Sequence, residues 1–93
     1  MNAGAPAVTV HVSSVLLAYT GQRAEVAAVG ATVGDALDDL DRRYEGVKWR
    51  VVDEQGRLRP HRALFVDGKP TRDLAARLRP GATVHLLHAL SGG

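Results

Sequence analysis

An α+β fold, with one main helix packed on a mixed sheet, is predicted by three features of this sequence. Two apolar runs of period two lie near the N-terminus, one long run of helical period follows them, and two further strand-like runs precede the end. The chain has 93 residues and no internal repeat, which fits one domain with a single modest core.

The elements follow in order. Residues 1–6 are small and polar, end in Pro6, and are expected to form a loose leader. From Ala7, Val8, Val10 and Val12 alternate with Thr9 and His11, which predicts a half-buried strand. A second strand is expected within Arg23–Val29, after the turn signal Tyr19-Thr20-Gly21-Gln22, so that a short connection makes the two strands a hairpin. Thr32 is a good helix N-cap with Asp35 three residues on. Val33, Ala36, Leu37, Leu40 and Tyr44 then form one apolar stripe. Asp38 is expected to face Arg42, and Asp39 to face Arg43, on a solvated outer surface. Gly46 should stop the helix.

Val47–Val52 reads equally as helix or strand. Asp53-Glu54-Gln55-Gly56 is a turn signal, Ala63–Val66 a strand, and Asp67-Gly68-Lys69-Pro70 a tight turn. Leu74–Leu78 suggests one short helical turn, and Pro80-Gly81 another chain reversal. Thr83–Ala89 is the last strand, with Val84 and Leu86 on one face and His85 and Leu87 on the other. The order strand, strand, helix, strand, strand is met by a β-grasp (ubiquitin-like) arrangement. Its first and last strands lie parallel at the centre, and its C-terminal tail leaves the sheet freely. The domain is placed at residues 7–89 and the tail at 90–93.

Composition excludes several function classes. Aromatic content is 4%, so the core must be Val, Leu and Ala. A net charge of +2, with bases interleaved among acids, argues against nucleic acid as a partner. With no cysteine, disulfides, zinc–thiolate sites and a cysteine nucleophile are out. No run is long enough to span a membrane and no secretion signal is read at Met1–Ala7, so a cytoplasmic protein, monomeric when free, is expected. His85 and His88 are three apart on a strand, hence on opposite faces, and no metal site is expected. There is no phosphate-binding loop, no nucleotide fingerprint and no nucleophile elbow around Ser13, Ser14 or Ser91. A self-sufficient enzyme is not indicated.

The tail carries the chemistry. Leu90-Ser91-Gly92-Gly93 follows directly on a hydrophobic strand. Two residues without Cβ can take any backbone conformation and thread a narrow channel. That suits delivery of the Gly93 carboxylate to ATP held by a partner enzyme. A carboxylate is a poor electrophile, but as an acyl-adenylate it has a good leaving group. A sulfur donor can then displace AMP and leave a thiocarboxylate. A carrier without cysteine is compatible with this route.

The sequence resembles the ThiS/MoaD sulfur carriers, most closely the CysO-like branch. The resemblance runs from Val8 to Gly93. It rests on Val8-Thr9-Val10, Thr32-Val33-Gly34-Asp35-Ala36-Leu37, Arg43-Tyr44-Glu45-Gly46-Val47, His61-Arg62 with Leu64-Phe65-Val66-Asp67-Gly68, Pro80-Gly81-Ala82-Thr83-Val84 and Ser91-Gly92-Gly93. It implies a β-grasp fold, no cofactor bound by the chain itself, an E1-like adenylating partner that uses ATP, and a thiocarboxylate on Gly93 passed to a sulfur-accepting biosynthetic enzyme. With Gly93 as the natural terminus, no trimming would be needed. The segment before the third strand is longer than in thiamin-pathway carriers, which favours the cysteine or molybdopterin branches. His88 stands where CysO- and MoaD-like relatives often have proline.

Strand alternation turns Phe65 and Leu87 outward, so the two are expected to form an apolar patch beside the tail unless Val47–Pro60 covers one of them. Arg62 and Arg79 are candidates for electrostatic steering of a partner, alongside His88, Leu90 and Ser91 near the exit. A ubiquitin-like modifier joined to lysines through Gly93, and an interaction module with an inert tail, remain open alternatives. So does the product: cysteine, molybdopterin, thiamin or a specialised metabolite.

Overall fold

In the computed structural model, residues 5–88 are described. Five strands form one sheet in the order β2-β1-β5-β3-β4. β1 is Ala7–Val12, β2 Glu25–Val29, β3 Arg62–Val66, β4 Lys69–Thr71 and β5 Thr83–His88. β1 pairs antiparallel with β2 and parallel with β5, and β5 pairs antiparallel with β3. The first and last strands therefore lie side by side at the centre, as expected for a β-grasp domain.

The main helix α1, Val33–Arg43, starts where Thr32 Oγ1 accepts the Asp35 N–H at 3.1 Å. It buries Val33, Ala36, Leu37 and Leu40 against the sheet. Opposite them lie Val8, Val10 and Val12 of β1, Leu64 of β3, and Val84 and Leu86 of β5. The largest fully buried side chains are Leu and Val, with Thr20, so the core is aliphatic as the composition requires.

Three local expectations are corrected, and the open reading of Val47–Val52 is resolved. The β1–β2 connection is not a short turn. A 3₁₀ helix at Ser14–Tyr19 lies within it and sinks Leu16 into the core. Val47–Val51 is a second helix, α2, whose Val47 and Val51 are fully buried. The Asp41 carboxylate starts α2 by accepting the N–H groups of Gly46 and Lys48 at 3.0 and 3.2 Å. The reversal after β3 uses only Asp67 and Gly68, at φ 49° and 83°, while Lys69 and Pro70 belong to β4. Proline is tolerated there because β4 is an edge strand. Leu74–Leu78 forms no helix; Arg77 instead bridges to Thr32, and the Leu74 and Ala76 carbonyls accept the N–H groups of Gly34 and Val33.

The outer face of α1 also differs in detail. Asp39 pairs with both Arg42 and Arg43, at 2.9 and 3.1 Å, and Asp38 pairs with Lys48 of α2. Asp38 and Lys48 meet because α2 folds back along α1, a contact between elements that single-helix spacing does not contain.

Candidate functional site

β5 carries the chain to His88, and five residues, 89–93, remain after it. Gly92, Gly93, Leu90 and Ser91 lie outside the described residues. What surrounds the end of β5 is described, and it has two unlike sides.

The open face of the sheet is one side. Cross-strand register places Glu25, His11, His85, Phe65 and Pro70 in one line across β2, β1, β5, β3 and β4. The rings of His11 and His85 stack at 4.5 Å, and His11 Nδ1 lies 3.5 Å from the Glu25 carboxylate. One step nearer the end of β5, Leu87 stands opposite Ala63. Leu87 is 37% exposed and Phe65 half-buried. Ala63, Phe65, Pro70 and Thr71 line a recess of about 240 Å³ beside β4. Segment 47–60 does not cover this patch: Val47, Val51, Val52 and Leu58 all belong to the core cluster on the opposite face of the sheet.

The helix side is the other. Arg62 faces it, only 9% exposed, and does not join Phe65 and Leu87. Its Nε donates to the Arg50 carbonyl at 2.8 Å, and its Nη1 lies 3.0 Å from His88 Nδ1. The Arg62 carbonyl accepts from Arg72 at 3.0 Å. Arg62 is thus a bracket between β3, α2 and the end of β5. Burial, then the charges of Arg59 and Arg50, lower its pKa from the ordinary value. Arg79 is exposed beside Pro80 and Gly81, before β5 begins, so a whole strand separates it from the tail. The structure brings Phe65 and Leu87 together on the open face and His88 onto Arg62, but it leaves Arg79 apart.

His85 and His88 point to opposite faces, as their spacing requires, one stacked on His11 and the other against Arg62. Among the described residues, no group of three or more His, Asp or Glu is arranged to hold a metal ion. No described helix is long and apolar enough to cross a membrane. Sequence reading missed Trp49, which is 50% exposed on α2 beside Arg50 and Arg62. Once α2 is placed by Val47 and Val51, Trp49 must face away from the core, but the helix itself was not fixed by so short a run.

A mixed five-stranded sheet with its first and last strands parallel at the centre and a main helix packed across it defines a small β-grasp, ubiquitin-like domain. The model of the ThiS family matches residues 10–93, and the chain belongs to that family. It is 32% identical over 91 residues to the sulfur carrier protein CysO of Mycobacterium tuberculosis, covering 92% of this chain and 98% of that one. The crystal structure of M. tuberculosis CysO superposes with a TM-score of 0.85 at 31% identity, over 89% of this chain and 99% of that one. A crystal structure of the BexX/CysO complex of Amycolatopsis orientalis also matches, with a TM-score of 0.85, 35% identity, and 92% and 99% coverage. SAMP1 from Haloferax volcanii matches with a TM-score of 0.78 at 27% identity, over 94% of this chain and 99% of that one.

Proposed function

We propose that this protein is a sulfur carrier that works through the carboxylate of Gly93. An E1-like partner binds the tail and ATP. A Gly93 carboxylate oxygen attacks the α-phosphorus, pyrophosphate leaves, and an acyl-adenylate forms. A sulfide equivalent from a donor then attacks the acyl carbon, AMP leaves, and a thiocarboxylate remains. Its sulfur passes to a biosynthetic enzyme that makes cysteine, molybdopterin or a specialised metabolite. The chain is a co-substrate in this scheme rather than a catalyst, and the ATP belongs to the partner.

The observation that carries this reading is the CysO-like sequence that runs through β5 into Gly92-Gly93. The open face gives the activating partner a place to hold: Phe65 and Leu87 offer apolar area beside the exit, with the recess at Pro70 for a partner side chain. Two glycines let the last residues enter a narrow active site. The test is intact mass after incubation with an E1-like adenylating enzyme, ATP and sulfide. The expected result is the gain of one sulfur for one oxygen, absent when Gly93 is deleted. No gain with an enzyme active on other carriers would overturn the reading.

The likeness to SAMP1, a small archaeal modifier protein, favours a second reading. The same acyl-adenylate attacked by a lysine amine would give an isopeptide-linked conjugate. Gly93 found joined to target lysines by peptide mapping would support it.

A further inference from the structure

Below the end of β5, on the helix side, Trp49, Arg50, Arg59, His61 and Arg62 line an open cleft of about 260 Å³. At 50% exposure, Trp49 is the most exposed large apolar side chain among the described residues. Its backbone is pinned: Arg59 Nε donates to the Trp49 carbonyl at 2.9 Å, and Arg62 Nε to that of Arg50. Arg62 also places Nη1 on His88, whereas Arg59 uses only its Nε. Both Nη groups of Arg59 make no hydrogen bond among the described residues.

The positive charge here is uncompensated. Arg42 and Arg43 share Asp39, Lys48 pairs with Asp38 and Arg57 with Asp53, while Arg23, Lys69, Arg77 and Arg79 are unpaired among the described residues but do not line this cleft. Arg50, Arg59, Arg62 and Arg72 form no ion pair among the described residues. Arg50 lies 4.6 Å over the Tyr19 ring, and the other three donate to carbonyl oxygens. The crowding lowers the pKa of His61, through burial first and then through Arg62, His88 and Arg59. Gathering like charge around an exposed indole adds nothing to the core and opposes folding through self-repulsion. An acidic partner relieves that repulsion.

The shape selects the kind of anion. A free phosphate would use the arginines and leave the indole in water. A peptide can place carboxylates on the guanidinium groups and an apolar side chain on Trp49 at once. We propose that this cleft docks an acidic segment of a protein partner, with a carboxylate on the Nη groups of Arg59 and an apolar side chain on Trp49. The cleft lies across β5 from the Phe65 and Leu87 patch. A partner held here grips the exit from the opposite side, and the inference goes beyond the sulfur-carrier reading without needing it.

The experiment titrates the isotopically labelled full chain with a short peptide of repeating Asp-Leu-Glu. Resonances are followed for the Trp49 indole N–H and for the backbones of His61 and Leu87. Saturable shifts are expected at Trp49 and His61 and not at Leu87. Affinity should fall about tenfold in Arg59→Glu and in high salt. It should be unchanged in Phe65→Asp, and a poly-glutamate peptide without leucine should bind less tightly. Arg59 is half-buried, so thermal unfolding of the variant accompanies the titration, and an unchanged midpoint separates lost binding from lost folding. The proposal is overturned by no saturable shift at Trp49, by equal affinity in Arg59→Glu, or by shifts confined to the Leu87 face. Binding of inorganic phosphate or AMP that the peptide does not displace also overturns it. Absence of thiocarboxylate formation would leave this binding result unaffected, so the two readings fail separately.

Discussion

The Asp39 carboxylate accepts the backbone N–H of Val29 at 3.0 Å, joining the outer turn of α1 to the free edge of β2. Arg43 completes the arrangement by donating to the Ala27 carbonyl. Two backbone groups that an open edge strand would offer to another chain are therefore occupied by side chains of the same domain. Asp39→Ala should lower stability by about 1–3 kcal/mol, because it leaves that N–H without its acceptor. Urea unfolding at neutral pH measures this.

The same residue sets an acid dependence. Burial raises the Asp39 pKa, but the Val29 N–H and the charges of Arg42 and Arg43 outweigh it, and the net shift is downward. A carboxylate with a depressed folded pKa contributes stability above its unfolded value, about 3.9, and loses it as pH falls through the folded pKa. Wild type should lose stability below about pH 4 more steeply than Asp39→Asn. Parallel slopes for the two proteins would show that other carboxylates carry the acid transition.

Gly30 and Gly46 make an instructive pair. A Cβ at Gly30 would lie 2.4 Å from the Ala36 nitrogen and 2.8 Å from the Asp35 carbonyl carbon, both backbone atoms of α1. Gly30→Ala must push the helix off the sheet, at a cost of about 3 kcal/mol or more. Gly46 has open space around it but sits at φ 96°. Gly46→Ala should cost only about 1 kcal/mol, from backbone strain alone. Thermal unfolding of the two variants gives the order, and a smaller loss for Gly30→Ala would contradict the close approach.

Arg62→Ala should destabilise by about 1–3 kcal/mol, because the Arg50 carbonyl and His88 lose a shared donor. Hydrogen exchange should quicken in α2 and at the end of β5 before it does in β1. Uniform exchange across the domain would show that the bracket does not couple those two elements.

Changing Phe65 and Leu87 together to Asp should cut kcat/KM for partner-dependent adenylation by about tenfold or more. The unfolding midpoint should stay within a few degrees of wild type. An unchanged kcat/KM would move the docking surface away from the open face.

Much of this was legible in the sequence because it rests on local period and local chemistry. Val8, Val10 and Val12 announce a strand whatever their partner, and Thr32 with Asp35 announces a helix start. Phe65 and Leu87 were placed on one face by alternation alone. What escaped depends on contacts between elements. Val47–Val51 is too short for period to separate helix from strand, so Trp49 had no assigned direction. Arg62 looks like any surface arginine until α2 folds over it. Arg79 lies close in sequence to the last strand yet at the wrong end of it. Asp38 had a suitable partner in Arg42 but found Lys48 across a turn.

β5 is the last strand made and lies between β1 and β3. Without Thr83–His88 the sheet is in two separate pieces, β1–β2 and β3–β4, with no strand to join them. The pairing of β1 with β5 closes the largest loop among the strand pairs described, so it is the slowest of them to form. A surface built across β3 and β5, such as the one Phe65 and Leu87 share, therefore exists only once the two halves of the sheet have been joined.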